Sequence, residues 1–380
     1  MICRMHTKTA FRPELSASRM LVVKAGSKIV TPADTASAGR IRLLVDDIVD
    51  IVKTGRRVVV VSSGAIAHGM RALRLSRRPA TIPLKQACAA IGQARLMHVY
   101  NEQFSRHGVF AGQVLLTWDD LRDKKRYLNL RNTLFQLLTS GAVPIINEND
   151  SLGVEEIRFG DNDTLGAQIA MLVNADVYVM LTDVNGLYDK NPAEHADARH
   201  IPVVERITGL LHAAAAGQGS EISVGGMKTK LAAAEIVTRA GIPALIGNGC
   251  ADRLLDIMRR PEAATYFSPS DKRMTARDRW IAFAGKPRGS IIIDKGACAA
   301  IVEKGKSLLP AGVQRTAGSF AAGDAVEVQS EDLRPIARGL ANYSSEEVDR
   351  IRGCRTSEIA ALLGSKTFDE VIHRDNMVVL

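Results

Sequence analysis

Four consecutive valines, at positions 58–61, limit what this chain can fold into more than any other feature of its sequence. A strand with one face in water alternates apolar and polar residues, whereas an unbroken apolar run predicts a strand buried on both faces. Such strands are typical of parallel sheets that carry helices on each side. A Ser-Ser-Gly turn and a helical pattern follow the valines directly, so the segment predicts one strand–helix unit of a parallel sheet.

Strand and helix patterns alternate through the larger, N-terminal part of the chain. Apolar strands are predicted at 20–24 and 113–117 and in the segments AVPIINEND and VYVMLTDVNGLYD, and helices at 38–53, 84–105, 123–139 and 164–173. The series closes with the strand IPALIGNG. This alternation predicts an α/β domain with a mainly parallel sheet.

The C-terminal part has a different pattern. Short strands (SIIID, DAVEVQS, PIARGLANY and MVVL) alternate there with glycine turns and with small helices at 296–304, 345–351 and 356–363. A chain of 380 residues is long for one core. We therefore predict a disordered extension at 1–19, the α/β domain at 20–262, a linker at 263–285 and a small β-rich domain at 286–380.

Composition excludes several classes of protein. No apolar run approaches the ~20 residues that span a bilayer, and no CxxC or HxxxH spacing predicts a metal site built from protein ligands. Five scattered cysteines indicate free thiols and a cytoplasmic location. Residues 271–315 carry ten Lys or Arg against four Asp or Glu, but few aromatics accompany them, so nucleic-acid binding is the less favoured use of this charge.

Polar residues follow each predicted strand of the α/β domain. The carboxyl ends of parallel strands meet at one edge of the sheet, where open α/β sheets bind their ligands. Each turn alone has an ordinary explanation as a loop or a helix cap, but their coincidence at one edge predicts a binding site. The candidate residues are Lys24, Gly26, Ser27, Ser63, Gly64, Asn147, Glu148, Asn149, Asp150, Asp161, Asn162, Asp163, Thr182, Asp183, Lys228 and Lys230.

The helix that begins within GGMKTK departs from the usual charge preference of a helix N-terminus. Its first turn carries Lys228 and Lys230 and no carboxylate, although the positive end of a helix dipole favours acidic residues. A surface accident would explain this, and so would a bound phosphate, which we expect in place of the carboxylate. Lysines, glycine turns and carboxylates together suit phosphoryl transfer. The GKS at 305–307 is not a Walker A motif because Ala300 replaces its first glycine.

Six motifs give these turns a family resemblance. VVKAGS, VSSGAIAHG, PIINEND, GDND, LTDVNGLY and GGMKTK resemble, in order and spacing, the amino acid kinase family. The motifs INEND and GDND together resemble those of the family members that act on the γ-carboxylate of L-glutamate. The tail, with SLLPAGV and HRDNM, is similar to a PUA domain. The resemblance implies a three-layer α/β/α sandwich followed by a PUA-like domain.

The same resemblance implies an activity. It implies ATP-dependent phosphorylation of L-glutamate to L-glutamyl 5-phosphate, the first step of proline biosynthesis, with Mg²⁺, a homo-oligomer (dimer or tetramer) and feedback inhibition by proline. Three alternatives stay open: an acetylglutamate or aspartate kinase of the same family, an RNA-binding protein acting through the PUA-like domain, and a scaffold without activity.

The resemblance also assigns roles by position. Lys24 and Lys230 are implied to stabilise the transferred phosphoryl group, and Asp163 to orient them. The implied glutamate-binding residues are Ser63, Asn147, Asp150, Asp161 and Asn162. The implied ATP-binding residues are Lys24, Gly26, Ser27, Thr182, Asp183, Val224, Gly225, Gly226, Met227, Lys228, Thr229 and Lys230. Val224 and Lys228 replace the hydroxyl side chains that are usual in the family, on the nucleotide side.

Overall fold

The chain forms two compact units, one ending at Arg273 and one running from Met274 to Leu380. A computed structural model describes residues 15, 17–31, 35–152, 162–190, 192, 194–209, 211–212, 226–271, 274–283 and 287–380. The division falls inside the predicted linker, and each unit has its own hydrophobic core.

In its described part, the first unit is built on an eight-stranded sheet and a two-stranded one. Its strands are β1 Met20–Ala25, β2 Arg57–Ser62, β3 Ala111–Leu116, β4 Val143–Glu148, β5 Val177–Thr182, β6 Leu187–Tyr188, β7 His200–Ile201, β8 Val203–Val204, β9 Ala244–Asn248 and β10 Ala264–Phe267. The large sheet has the order β3-β4-β2-β1-β5-β9-β10-β8, and β6 pairs with β7.

Parallel pairing dominates the large sheet. Val23 of β1 lies between Val60 of β2 and Val179 of β5, both in parallel register. Only the β9–β10 pair is antiparallel among the described strands of this sheet. All four valines of 58–61 are fully buried, which confirms the prediction drawn from them.

Helices cover both faces of this sheet. They are α1 Ser27–Val30, α2 Thr35–Lys53, α3 Ala65–Ala72, α4 Ile82–Ser105, α5 Trp118–Arg122, α6 Lys124–Thr139, α7 Asn162–Leu172, α8 Met227–Arg239 and α9 Leu254–Arg259. Ile48 of α2, Phe104 of α4 and Ile257 of α9 share one hydrophobic cluster with Val23. Tyr178 points to the other face, where its hydroxyl donates to the Asp163 carbonyl of α7 over 2.8 Å. The predicted α/β/α sandwich is confirmed.

The second unit is a mixed five-stranded sheet with four helices in its described part. The strands are β11 Gly289–Ile293, β12 Val313–Gly318, β13 Ala325–Gln329, β14 Pro335–Leu340 and β15 Met377–Val379, in the order β12-β11-β13-β14-β15. The helices are α10 Ala276–Phe283, α11 Lys295–Lys304, α12 Ser345–Ile351 and α13 Ile359–Leu363. The small β-rich domain is confirmed. Strand β12 was not predicted, because most of its residues are exposed and several are polar.

Two predicted boundaries are wrong. The linker assignment for 263–285 fails because β10 pairs with β9 inside the large sheet and because Ile281 of α10 packs on Val378 of the second unit. The extension at 1–19 is not disordered in its described part: Leu15 is 2% exposed within the main core, and the Arg19 N–H donates to the Asp176 carboxylate over 2.8 Å. Strand β10 has only four residues, and Leu15 is a single apolar residue in a polar stretch, so neither gives a clear apolar pattern in the sequence.

No helix in the described part of the chain combines the length and the apolarity that a membrane span requires.

Candidate active site

The predicted polar turns meet at the carboxyl edge of the large sheet. Lys24 lies near the end of β1, Ser63 follows β2, Asn147 lies in β4, and Thr182 ends β5. The first residues of α7 and α8 reach the same edge. The residues Asp161, Val224 and Gly225 lie outside the described part, so their roles stay predictions.

A buried carboxylate with two lysines forms the centre of this edge. The Nζ of Lys24 lies 2.7 Å from Oδ1 of Asp163, and the Nζ of Lys230 lies 3.1 Å from Oδ2. Asp163 is fully buried, and the two lysines are 6% and 5% exposed. Charges this deep are tolerated only when they are paired. One aspartate thus holds two ammonium groups, so the cluster carries a net positive charge.

The lysines keep Asp163 ionised. Burial is the largest single effect and raises the pKa of Asp163, but the opposing effects, led by the charges of Lys24 and Lys230, together lower the pKa from 3.8 to about 2. Hydrogen bonds from Lys24 and from Thr229 act in the same direction. Asp163 is therefore a carboxylate at neutral pH and can hold both lysine side chains in place.

The start of α8 explains the lysine pattern of GGMKTK. Gly226 is the N-cap and makes no side-chain cap bond, and the first turn contains no acidic residue. The hydroxyl of Thr229 lies 2.9 Å from Oδ2 of Asp163, and Lys230 reaches the same oxygen. The carboxylate that the first turn lacks is thus supplied by Asp163 of α7, and the phosphate expected at this helix start stays a prediction. Lys228, in contrast, is exposed.

Two glycine turns follow strands β1 and β2 at this edge. Gly64 has φ 105°, and a Cβ on it would lie 2.6 Å from Cγ2 of Val30. Gly26 donates its N–H to the Leu181 carbonyl, and a Cβ there would lie 3.2 Å from that oxygen. Neither turn leaves room for a larger residue without a shift of its neighbours, and Gly64 also needs its left-handed conformation. Ser27, next to Gly26, is exposed at the rim.

Another part of the same edge carries an ion pair, one member of which, Lys28, was not predicted from the sequence. Lys28 of α1 pairs with Asp183, and Thr182 donates its hydroxyl to Oδ1 of Asp183 over 3.1 Å. Burial is the largest single effect and raises the pKa of Asp183, but the bond and charge of Lys28, a backbone hydrogen bond and the Thr182 hydroxyl together outweigh it, so the pKa is lowered. Lys28 lies within the stretch VVKAGSK, so its place in a turn at a strand end was the available signal.

A row of carboxamides lines the remaining part of the edge. Nδ2 of Asn162 lies 2.9 Å from Oγ of Ser63 and 3.1 Å from Oδ1 of Asn147. Asn147 in turn donates to Gln93 over 2.9 Å. Gln93 was missed because it lies in a helix with no polar motif around it. Oδ1 of Asn162 is buried and has no hydrogen-bond partner among the described residues.

Asp150, which follows the end of β4, has an unusually high pKa for an aspartate. Burial raises its pKa to about 6, although the charge of Arg78 opposes the shift. A carboxylate whose charge is poorly solvated favours a cationic ligand. Asp150 therefore suits a substrate ammonium group. Arg78 was not predicted either, since it lies in a polar loop without a motif.

Comparison with known proteins places this arrangement in a family. Residues 19–248 match the amino acid kinase family, and residues 289–363 match the PUA domain. The chain belongs to the amino acid kinase family, as the six motifs predicted.

The chain is also similar over nearly its whole length to curated relatives, which are glutamate 5-kinases. The one from Moorella thermoacetica is 46% identical over 98% of this chain and 100% of its own length. The one from Syntrophotalea carbinolica is 47% identical over 96% and 98%, and the one from Geobacter sulfurreducens is 46% identical over 96% and 99%. Among solved structures, a carbamate kinase from Giardia lamblia bound to AMP-PNP has a TM-score of 0.47 and 16% identity, over 67% of this chain and 100% of that chain.

Proposed function

We propose that this chain transfers the γ-phosphoryl group of ATP to the γ-carboxylate of L-glutamate, giving L-glutamyl 5-phosphate, the first step of proline biosynthesis. The observation that carries the proposal is the buried cluster in which Asp163 holds Lys24 and Lys230 at the carboxyl edge of the sheet. Similarity to glutamate 5-kinases over nearly the whole chain supports the choice of acceptor.

The reaction suits a site built from positive charge. A glutamate carboxylate is already ionised at pH 7, so it needs no general base. Its oxygen forms a bond to the γ-phosphorus while the bond to the ADP oxygen breaks, and negative charge spreads over the phosphoryl oxygens and the departing ADP. Lys24 and Lys230 are fixed in place by Asp163 before the reaction, so they stabilise that charge without reorganisation.

We place ATP against the two glycine turns, Thr182, Asp183 and the start of α8. The described residues contain no group of three or more His, Cys, Asp or Glu side chains that could hold a metal ion, and both oxygens of Asp163 are bound by lysines. This donor set fits Mg²⁺ carried mainly by ATP phosphates, as Mg²⁺ usually is. The ion would neutralise charge on the β- and γ-phosphates.

We place the amino-acid end of glutamate against Asp150 and Asn162. Oδ1 of Asn162 is a buried acceptor that faces no donor among the described residues, and an unmet buried acceptor costs about 1–3 kcal/mol. A substrate ammonium group would satisfy it and would also neutralise Asp150. Ser63 and Asn147 hold the Asn162 side chain in place for this contact.

We predict that glutamate binding depends on ionisation of Asp150. Because the pKa of Asp150 is raised to about 6, the ammonium-binding form is lost as the pH falls below that value, and KM for glutamate should rise about tenfold per pH unit. The Asp150→Asn variant should have a KM raised about 10- to 100-fold, the loss of one charged hydrogen bond. KM for glutamate and ATP measured between pH 5 and pH 8 checks both expectations.

In the Asp150→Asn variant the rise of KM toward low pH should disappear, while KM for ATP stays close to that of the wild type. A variant that keeps both the wild-type KM for glutamate and its pH profile would place Asp150 outside the substrate site.

A hydroxamate assay tests the proposed function. Purified protein is incubated with ATP, Mg²⁺, L-glutamate and hydroxylamine, which displaces phosphate from an acyl phosphate to give a hydroxamate, detected as its coloured ferric complex. We expect ATP-dependent product with L-glutamate and little with L-aspartate or N-acetyl-L-glutamate. Product with either alternative acid in preference to glutamate would reassign the substrate, and none with any acid would contradict the proposal.

Three further properties of the proposal rest on the family resemblance. We propose a homo-oligomer (dimer or tetramer), inhibition by proline as the end product, and action in the cytoplasm. Cys88, Cys250, Cys298 and Cys354 are free thiols, which agrees with a reducing compartment. Sedimentation of the purified protein and a proline titration of its activity test the first two.

We predict that residues 1–273 fold and keep the activity without the second unit. Every described candidate residue lies in the first unit, which has its own core. The cut at Arg273 retains Ser268 and Ser270, whose N–H groups bond back to Val204 and Thr238. We expect kcat within about threefold of the full chain, because no described charge near the reacting groups changes, with altered proline inhibition or assembly. A folded but inactive fragment would show that catalysis needs the second unit.

A further inference from the structure

Four carboxamide side chains from four different elements form a continuous hydrogen-bonded row behind the proposed substrate site. Gln93 of α4 donates to Oε1 of Gln113 in β3 over 3.3 Å. Asn147 of β4 donates to Oε1 of Gln93 over 2.9 Å. Asn162 of α7 donates to Oδ1 of Asn147 over 3.1 Å. The row therefore has one direction, with every amide donating toward Gln113.

Two backbone groups fix that direction independently of the side chains. The N and O atoms of a carboxamide are hard to tell apart by shape alone, but a backbone N–H only donates and a carbonyl only accepts. The Glu148 N–H donates to Oδ1 of Asn147 over 2.9 Å, and the Ser62 carbonyl accepts from Nδ2 of Asn162 over 3.3 Å. Asn147 must therefore turn its nitrogen toward Gln93, and Asn162 must turn its oxygen away from the row.

Gln93 links Asn147 to Gln113 in this row and lies behind the residues proposed to contact the substrate. It is 8% exposed and lies on a helix between buried apolar residues such as Ala89 and Leu96. Its Oε1 is the acceptor for Nδ2 of Asn147. Without that acceptor the buried nitrogen would lose its partner, and the Asn147 amide would be held at its oxygen alone.

The backbone of α4 next to Gln93 packs directly against the backbone of α3. A Cβ on Gly92 would lie 1.7 Å from the Ala65 carbonyl, and one on Gly69 would lie 1.8 Å from the Cys88 carbonyl. Helices α3 and α4 thus touch backbone to backbone at two points. Since α3 starts directly after the Ser63 turn, α4 holds Gln93 at a fixed distance from that turn.

We propose that Gln93 is a positioning residue for the amino-acid substrate. By accepting from Asn147 it holds the nitrogen end of that carboxamide, whose oxygen accepts from Asn162, and so it helps to present Oδ1 of Asn162 to the α-ammonium group of the substrate. The inference rests on the proposed function. A buried glutamine that only satisfies its own hydrogen bonds would affect folding stability and not the recognition of one substrate group.

The test is a set of kinetic constants for the Gln93→Met variant of the full chain. Met has a similar length and cannot hydrogen-bond at its end. We expect KM for L-glutamate to rise about tenfold, the loss of about one buried hydrogen bond, with KM for ATP within about twofold. Inhibition by glutarate, which lacks the α-ammonium group, should be unchanged. The matched control is Gln103→Met, in the last turn of the same helix, where Gln103 is half-buried and lies outside the row; it should leave all three constants unchanged.

A double-mutant cycle separates this path from general loosening of the site. In an Asn162→Ala background, the Gln93→Met change should have little further effect on KM for glutamate, because the group it orients is gone. If Gln93→Met does not fold, Gln113→Leu is measured instead, at the one exposed residue of β3, with an expected rise of about threefold in the same KM.

The outcomes distinguish this inference from the proposed function. Wild-type protein without glutamate kinase activity would overturn both. Active wild-type protein together with an unchanged glutamate KM in Gln93→Met, or equal changes for glutamate and glutarate, would overturn the role of Gln93 and leave the proposed function standing.

Discussion

Replacing Lys230 by Met should lower kcat at least about 100-fold, and replacing Lys24 by Met should do the same, which is the usual effect of losing one preorganised charge contact in the transition state. Both ammonium groups are buried and fixed by one carboxylate. Met keeps the length of the side chain and removes the charge. Steady-state kinetics with saturating ATP and glutamate measures the effect on kcat directly.

The matched control for both variants is Lys53→Met, at the exposed C-terminal end of α2. It should leave kcat within about twofold, since an exposed charge far from the site is largely screened. Thermal unfolding of each variant shows whether it is folded. Near wild-type kcat in both site variants would show that these lysines do not act on the transferred group.

Replacing Asp163 by Asn should have the largest combined effect. It leaves two ammonium groups buried without a counter-charge, and removing one partner of a buried ion pair costs about 3–5 kcal/mol of unfolding free energy. We expect kcat to fall by about 1000-fold as well, because both lysines lose the group that fixes them. Urea unfolding and kinetics at pH 7 measure the two effects separately.

The pH dependence of this stability has a definite sign. The folded pKa of Asp163 is depressed to about 2 from 3.8, so its stabilising contribution is complete above about pH 4 and is lost as the pH falls toward 2. Asp163→Asn should lack that contribution throughout. Asp119→Asn, a change at an exposed carboxylate, is the control and should alter stability by less than about 0.5 kcal/mol. An Asp163→Asn variant as stable as this control would contradict the buried cluster.

The architecture could be predicted from the sequence where burial leaves a clear mark. The valines of 58–61 indicated a parallel sheet because no half-exposed strand tolerates them. The strand β10, only four residues long, left no comparable signal beside Pro261. Its place in the sheet depends on pairing with β9, a contact that no local pattern encodes. Leu15 was missed for the same reason, since a single apolar residue in a polar stretch has no period.

The candidate site was predictable as a set of positions and not as a set of contacts. Asp163 could be read as a helix cap in GDND, and only the structure places it between lysines from β1 and α8. The lysine-bearing start of α8 likewise suggested a missing anion without saying that α7 supplies one. Gln93 carried no sequence signal, because its function depends on Asn147, which lies on a strand far along the chain.

The most direct test of the proposed reaction follows an oxygen atom. L-Glutamate labelled with ¹⁸O in its γ-carboxylate is incubated with the protein, ATP, Mg²⁺ and hydroxylamine. Hydroxylamine attacks the acyl carbon, so the carbon–oxygen bond breaks and the bridging oxygen leaves with the phosphate. Attack of the γ-carboxylate on phosphorus predicts one ¹⁸O in each phosphate released with hydroxamate, and at least about 100-fold less product from the Lys230→Met variant. Phosphate without label would contradict the account.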